Sequence, residues 1–278
     1  MKLGQFEIHS FVEYRYGLDG GMMFGVVPKQ LWQKMVEPDD RNLIPMVNNL
    51  FVLTAHGKKM MFDVGLGDTL TDREQKVYNV GEAQSSLETG LESMGLKTGD
   101  IDYVILSHLH TDHAGGAVKR VGDDYEPRFE NATYLMTRED FAAATQPDER
   151  TKAVYDPERY HALKDAGMVE FIDANSELFP GIRAIFTGGH TEGHFALEIE
   201  SDGQKLYYYA DIFPTRHHFP VAYVPATDVL PKQSMTAKRK ALPKVLEPNA
   251  IVAFDHDPTM PFARVRQDGR RFIAEPAK

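Results

Sequence analysis

The chain has 278 residues, 42% of them hydrophobic, which suffices for one large domain with an ample core. Its 31 Lys and Arg against 41 Asp and Glu give a formal net charge of −10, which argues against a nucleic-acid backbone as partner. The absence of Cys excludes disulfides, thiolate catalysis and metal sites built from Cys.

The N-terminus carries no apolar signal segment, and no stretch approaches the length of a membrane span. We therefore expect one domain over residues 1–278, in a soluble cytoplasmic protein without a membrane partner.

Strand and helix signals alternate along the chain, which predicts the α/β class. The predicted elements, in chain order, are a hairpin over 49–63, a helix over 86–94, a buried strand over 101–106, a short helix from the N-cap Thr137 to Ala144, strands over 182–189, 207–210 and 251–255, an amphipathic helix over 234–246, and a hairpin over 262–274.

Two segments have uncertain roles. Residues 146–166 are polar and interrupted by Pro147 and Pro157, which is typical of either a lid beside a site or a solvated connection. The helix over 234–246 has a basic face that we expect to be solvated. Its basic residues are Lys238, Arg239, Lys240 and Lys244.

Residues 108–113 read His-Leu-His-Thr-Asp-His and directly follow the buried strand. Imidazole and carboxylate groups are preferred ligands of zinc and neighbouring divalent ions, so this cluster predicts a metal site. The small residues 114–116 allow the backbone to turn tightly behind the ligands. A solvated polar loop is the alternative, but such loops rarely follow a hydrophobic strand with so little polar filler.

Three other apolar runs each end in a side chain that can bind a metal. They are followed by His190, Asp211 and His256. A lone His or Asp at a strand end is more often a cap or a solvent contact. Together with residues 108–113, however, the three predict one centre built from nitrogen and oxygen ligands.

These residues resemble the metallo-β-lactamase superfamily, whose H-x-H-x-D-H motif is followed by a His, a bridging Asp and a last His. Residues 61–65 also match the family's early Asp-x-Gly strand end, and 190–194 match its G-H-T-x-G-H turn. The resemblance implies a four-layer αββα sandwich, in which two mixed sheets are flanked by helices and the metals lie at one edge.

The resemblance also implies which residues hold two metal ions. The first ion would be bound by His108, His110 and His190, and the second by Asp112, His113 and His256, while Asp211 would bridge both. The residues expected to fix the ligand imidazoles are Asp63, Thr191 and His194.

The branches of this family can be partly separated by sequence. The best known zinc β-lactamases have a Cys where this chain has Asp211, and flavodiiron oxidoreductases have a Glu where it has His110. Nucleases of the family carry basic arms, and glyoxalase II-like thioesterases carry a helical tail that cannot fit after His256. The remaining group contains acyl-homoserine lactonases and enzymes resembling methyl parathion hydrolase.

The resemblance implies a hydrolase that attacks a lactone or another ester, such as an acyl-homoserine lactone, with a hydroxide held between two divalent ions. Asp112 would carry a proton to or from the leaving group. The ions are expected to be Zn, with Mn, Fe or Co as alternatives. Two other functions stay open: a phosphotriesterase or arylesterase of the same fold, and a non-catalytic protein that binds or senses metal.

One departure concerns the substrate pocket. The well-known lactonases place a Tyr three residues after the bridging Asp, and this chain has Pro214 there. His218 is our first candidate for a catalytic replacement, against the alternative of an exposed loop His. The other predicted pocket residues are Met22, Phe24, His217 and Tyr223. The expected partner is a small ester or lactone, and a homodimer is compatible with the sequence.

Overall fold

The computed structural model describes residues 1–81, 83–173 and 175–277. Its strands are β1 (Lys2–Leu3), β2 (Phe6–Asp19), β3 (Leu43–Ala55), β4 (Lys58–Phe62), β5 (Tyr103–Ile105), β6 (Val118–Val121), β7 (Asp124–Pro127), β8 (Thr133–Met136), β9 (Val169–Phe171), β10 (Glu177–Phe179), β11 (Ile182–Phe186), β12 (Phe195–Ser201), β13 (Gln204–Tyr208), β14 (Ala250–Ala253), β15 (Phe262–Asp268) and β16 (Arg271–Pro276).

The α-helices are α1 (Gly20–Phe24), α2 (Lys29–Trp32), α3 (Asp72–Tyr78), α4 (Leu87–Ser93), α5 (Thr111–Ala114), α6 (Arg138–Thr145), α7 (Pro157–Asp165) and α8 (Pro231–Val245). Short 3₁₀ helices cover Thr98–Asp100, Gly115–Ala117 and Ala210–Ile212. No helix in the described part of the chain combines the length and apolar character needed to cross a membrane.

The chain divides into two compact units. Unit 1 comprises Met1–Tyr14 and Asn48–Ala174, and unit 2 comprises Arg15–Val47 and Asn175–Lys278. The single domain predicted over residues 1–278 stays a prediction.

The strands form two seven-stranded sheets, each of which mixes parallel and antiparallel neighbours, and a small antiparallel sheet of β6 and β7. The first runs β1-β2-β3-β4-β5-β8-β9, in which β4, β5, β8 and β9 are parallel neighbours. The second runs β10-β11-β12-β13-β14-β15-β16 and has one parallel pair, β13 with β14. Parallel strands end at the same edge of a sheet, so the residues that follow β4 and β5, and those that follow β13 and β14, emerge together.

Unit 1 has its own hydrophobic core. Its central parallel strand β5 buries Val104 and Ile105, and α4, α6 and α7 contribute Leu91, Phe141 and Leu163 to the buried apolar residues of this unit. A strand buried on both faces reads as a continuous apolar run, which explains why the sequence predicted it.

Unit 2 has a second core. It brings together aromatic residues of the sheet and its following loop, such as Tyr207, Phe213 and Phe254, with Ala237 and Ala241 of α8. The small alanines allow the helix to approach the aromatic rings closely.

Several predicted elements are confirmed. The first hairpin pairs Ala55 with Lys58, and the last pairs Asp268 with Arg271. Helix α4 lies within the predicted range. The Thr137 side chain accepts a hydrogen bond from the backbone N–H of Asp140 and so caps α6 as predicted.

The basic face of the last helix is solvated at Arg239 and Lys240, as predicted, but the prediction is wrong for Lys238. Helix α8 begins at Pro231, three residues before the predicted start, and Lys238 is fully buried rather than solvated. Lys238 shares the helical spacing of the buried residues Ser234, Ala241 and Val245, so its position on the helix, not its charge, decides its burial.

The segment 146–166 is also more ordered than its composition indicated. Pro157 lies at the first turn of α7, where its missing N–H costs nothing, and so begins the helix instead of interrupting it. Arg159 and Tyr160 of this helix are fully buried, so the solvated-connection interpretation of the segment is wrong. Its role as a lid stays a prediction.

Candidate metal centre

The histidine motif of unit 1 is buried at the end of β5. His108 and His110 occupy the loop after the strand, and Asp112 and His113 lie on the single turn of α5. The ring centroid of His108 lies 4.7 Å from that of His110 and 4.0 Å from that of His113. Three imidazoles therefore crowd together in a region without solvent, which is typical of metal ligands and costly for charged core residues.

Asp63, which follows β4, orients two of these rings. Its Oδ2 accepts a hydrogen bond from Nδ1 of His113 at 2.9 Å and from Oγ of Ser107 at 2.7 Å. The hydroxyl of Ser107, which donates to Asp63, lies 3.0 Å from Nδ1 of His108 and can accept its proton. Both imidazoles thus carry their proton on Nδ1, and Nε2 keeps the lone pair that a metal requires. Ligand atoms of Asp63, His108 and His113 all lie within 4.8 Å of one another.

The carboxylate of Asp112 is held by a residue that sequence reasoning missed. Tyr78, the last residue of α3, donates from its phenolic oxygen to Oδ1 of Asp112 at 3.0 Å. The other oxygen, Oδ2, lies 3.9 Å from Nε2 of His113. No sequence signal identified Tyr78, because it lies 34 positions from its partner and on another element.

A buried ion pair fixes the start of α5. Arg159 donates two hydrogen bonds to the carboxylate of Glu74, at 2.8 and 2.9 Å, and Thr111 donates to the same carboxylate at 2.8 Å. Burial alone would raise the pKa of Glu74, but the hydrogen bonds and charge of Arg159 hold it below its usual range. Segment 146–166 also meets the motif through Tyr155, whose ring centroid lies 5.1 Å from that of His110.

Four glycines of unit 1, namely Gly65, Gly67, Gly115 and Gly116, bring two backbone segments into contact; we call them the glycine seam. A Cβ on Gly67 would lie 2.7 Å from Cα of Gly116. The N–H of Gly116 donates to the carbonyl of Gly65 at 3.0 Å, which fixes the loop after Asp63 against the turn that follows the motif.

Glu13 also holds the loop that follows Asp63. Its carboxylate accepts hydrogen bonds from the N–H groups of Leu66 and Gly67 at 2.8 and 2.7 Å and from Oγ of Ser85 at 2.6 Å. Burial raises the pKa of Glu13 to about 7, although these donors oppose the shift.

Unit 2 places one carboxylate between two imidazoles. Asp211 lies in the 3₁₀ turn after β13, and its Oδ2 is 2.9 Å from Nε2 of His190, which follows β11. Its Oδ1 is 3.2 Å from Nε2 of His256, which follows β14. Each oxygen of Asp211 therefore faces a different ring, as a carboxylate that bridges two cations would.

Two further residues that sequence reasoning missed hold the other nitrogens of these rings. Nδ1 of His190 lies 2.8 Å from Oδ1 of Asp228, and Nδ1 of His256 lies 2.9 Å from the hydroxyl of Tyr16. Burial alone would lower the pKa of His190, but Asp211 and Asp228 raise it to about 10. The two carboxylates thus favour a positive charge at this position. The buried nitrogen and oxygen donors of both units fit divalent cations.

Thr191 and His194, both predicted to support the ligands, are fully buried. The His194 ring packs edge-on against His190 at 5.8 Å, and its Nδ1 lies 2.6 Å from Oγ1 of Thr187. His194 therefore fills space beside a predicted ligand, with its Nδ1 directed at Thr187.

The predicted pocket residues of unit 2 divide into core and half-buried groups. Phe24 lies on the short helix α1 and stacks on Trp32 and His218 at 5.4 and 4.8 Å. Half-buried are Met22, His217 and Tyr223.

His218, the candidate proton donor, is fully buried, so the exposed-loop alternative is wrong. Its Nδ1 lies 2.8 Å from Oγ1 of Thr215, and its Nε2 lies 3.0 Å from the carbonyl of Met23. Burial, followed by the charge of Lys238, lowers the pKa of His218 to about 3. The catalytic role of His218 stays a prediction, and these contacts favour a structural one.

Comparison with known proteins adds three findings. A family model described as "Metallo-beta-lactamase superfamily" matches residues 43–256. An N-acyl homoserine lactonase of Bacillus cereus is 27% identical over 226 residues, which cover 78% of this chain and 83% of that protein. A probable metal-dependent hydrolase from Staphylococcus aureus is 29% identical, with a TM-score of 0.89 and full coverage of both chains.

A more distant structure shares the fold. The dizinc quorum-quenching lactonase AidC is 21% identical, with a TM-score of 0.81, and the match covers 100% of this chain and 96% of AidC. The matches confirm the predicted α/β fold class.

Proposed function

The chain belongs to the metallo-β-lactamase superfamily and is a metal-dependent hydrolase, and we propose that it opens the ring of a small lactone, first of all an acyl-homoserine lactone. The support for this substrate class is the similarity to the Bacillus cereus lactonase across most of both chains.

We further propose that the chain holds two divalent ions, with zinc first. The first ion would be held by His108, His110 and His190, the second by Asp112, His113 and His256, and Asp211 would serve both. The observation that carries this proposal is the position of Asp211, whose two oxygens each face Nε2 of a different imidazole at 2.9 and 3.2 Å.

When bound, a pair of divalent cations supplies Lewis acidity that activates water and polarises the ester carbonyl. The chain's own contribution is to hold the ligands in one geometry. Asp63 keeps the Nδ1 proton of His113 in place, Ser107 does so for His108, and Asp228 does so for His190.

Asp112 is the proposed proton carrier. Attack of water on the lactone carbonyl frees a proton and breaks the C–O bond of the ring; the carboxylate of Asp112 can accept that proton on Oδ2 and pass it, as a carboxylic acid, to the departing alcohol oxygen. The hydrogen bond from Tyr78 to Oδ1 keeps the other oxygen directed towards His113. His218, with its hydrogen-bonding nitrogens and buried ring, is better suited to supporting the pocket than to proton transfer.

The proposed pocket wall consists of Met22, His217 and Tyr223, supported from behind by Phe24 and His218. Pro214 provides no hydroxyl at the position where the well-known lactonases have their Tyr. The net charge of −10 favours neutral small molecules over nucleic acid as partners.

A panel of substrates tests the function. Acyl-homoserine lactones of short, medium and long acyl chain, an aryl ester and a phosphotriester are assayed with the same preparation, whose metal content is measured. We expect about two metal ions per chain and the highest kcat/KM for a lactone. A preference for the phosphotriester would overturn the lactone assignment, and a full rate with one ion per chain would overturn the paired-ion site.

A further inference from the structure

We propose that Asp228 is a positioning residue that orients His190 for a bound cation, and that Ser234 of α8 holds Asp228 in that role. The proposal rests on the function proposed above. Asp228 belongs to unit 2, and neither the strand pattern, nor a motif, nor the family resemblance predicted a role for it.

The first observation is the hydrogen bond between Nδ1 of His190 and Oδ1 of Asp228, which is 2.8 Å long and fully buried. A carboxylate accepts only, so His190 must carry its proton on Nδ1. Its Nε2, 2.9 Å from Oδ2 of Asp211, donates a second hydrogen bond, and it is the atom that would meet a bound cation after losing that proton. A carboxylate paired with a ligand imidazole in this way fixes the ring's rotation and raises its basicity.

The second observation is that the turn around His190 is bound to the start of α8. Oγ of Ser234 donates to Oδ2 of Asp228. The N–H of Val229 donates to the carbonyl of His190 at 3.1 Å, and the N–H of Leu230 donates to the carbonyl of Gly189 at 2.8 Å. A Cβ on Gly189, where φ is +91°, would lie 2.4 Å from Oγ of Ser234. These contacts hold the start of α8 tightly against the turn that contains His190.

The third observation is a buried lysine on the same helix, Lys238, which is hydrogen-bonded to two backbone carbonyls. Nζ of Lys238 donates to the carbonyl of His218 at 2.7 Å and to that of Tyr223, and it lies 5.5 Å from the ring centroid of Phe213. Burial lowers the pKa of Lys238 to about 7, and the charge of Asp228 opposes this shift. Lys238 lies one helical turn after Ser234, so its two hydrogen bonds hold the same stretch of α8 that binds Asp228.

A positioning role of Asp228 and a purely structural role make different predictions. If Asp228 only stabilised α8, its loss would affect folding and leave metal binding unchanged. A positioning role predicts a change at His190 itself.

The test compares zinc binding by the wild type, Asp228→Asn and Val245→Ala. Val245 is buried near the other end of α8, so its truncation weakens the same helix without touching Asp228. Zinc stoichiometry and affinity are measured by competition with a chromophoric chelator, and folding is checked by circular dichroism. The His190 imidazole is observed in ¹⁵N-resolved NMR spectra of the zinc-loaded proteins.

We expect Asp228→Asn to bind one of the two zinc ions about 10- to 100-fold more weakly, and the Nδ1–H resonance of His190 to move. Val245→Ala should lose stability but keep both affinities and the resonance. Wild-type affinity for both ions in a folded Asp228→Asn variant would overturn this inference alone. A wild type that binds no zinc or other divalent ion would instead overturn the proposed function.

Discussion

The phenolic oxygen of Tyr78 donates a hydrogen bond to Oδ1 of Asp112 across 3.0 Å, inside unit 1 and away from solvent. This bond leaves Oδ2 as the atom that can meet a cation or a leaving group. Because a hydrogen bond to a carboxylate contributes about 1.5–3 kcal/mol, Tyr78→Phe should lower kcat by roughly tenfold or more.

Steady-state kinetics check this prediction. KM should stay within about twofold, because in the proposed mechanism Tyr78 orients Asp112, which would act on the leaving atom and not bind the ground state. Tyr125→Phe removes a comparable phenol–carboxylate bond, to Asp156 at 2.8 Å, and serves as the control. An unchanged kcat in Tyr78→Phe, or an equal loss in Tyr125→Phe, would contradict the role of Tyr78.

Replacing Asp211 by Asn should lower metal content and activity together. An amide keeps the size of the side chain but removes the charge and one acceptor, so it no longer serves both His190 and His256. We expect kcat/KM to fall by at least about 100-fold. Metal analysis and kinetics on one sample check this, and retention of two tightly bound ions would contradict it.

The substitution His218→Gln distinguishes a structural role of His218 from a catalytic one. The Gln amide can donate to the carbonyl of Met23 and accept from Thr215, so activity near neutral pH should stay within about threefold. A loss of activity at the level expected for Asp211→Asn, in a folded variant, would instead assign His218 to the chemistry.

The same variant tests a dependence of stability on pH. The folded protein lowers the pKa of His218 from 6.5 to about 3, so between these values the unfolded chain binds the proton more readily. The contribution of His218 to stability is therefore present above pH 6.5 and is lost as the pH falls towards 3. Relative to His218→Gln, the wild type should lose on the order of 2 kcal/mol between about pH 6.5 and 4.5 in urea unfolding. A constant difference across this range would refute the assignment.

Arg159→Met should destabilise unit 1 because it leaves the buried carboxylate of Glu74 without its charge partner. Breaking one side of such a pair costs about 3–5 kcal/mol. Combining Arg159→Met with Glu74→Leu should recover part of this loss, since no charge then stays buried. Denaturant unfolding of both variants measures the effect; an additive double variant would contradict the coupling.

The candidate ligands at the strand ends were predictable from the sequence because each apolar run is followed by a His or an Asp, which are common metal ligands. His108, Asp211 and His256 each follow a buried strand, and the period of the apolar residues located those strands. Fold class followed from the same alternation and from the family resemblance. The support around the ligands was not predictable in the same way.

Tyr78, Asp228 and Tyr16 each act through a partner at least 34 positions away, and their own neighbours in sequence carry no pattern. Lys238 is a different case, because the sequence analysis assigned it to a solvated face and it is buried. Its helical spacing matched that of the buried residues, but a charged side chain normally lies in solvent, and the two carbonyls that accept hydrogen bonds from its Nζ are visible only in three dimensions.

The glycine seam bears on how this protein can diversify. A side chain at Gly67 would collide with Gly116 at 2.7 Å, and one at Gly65 would collide with the carboxylate of Glu13. A saturation library should therefore be depleted at these positions, while half-buried positions such as Met22 accept new side chains. Directed evolution towards new substrates can therefore change the proposed pocket wall, whereas it must keep the close backbone contacts of the glycine seam.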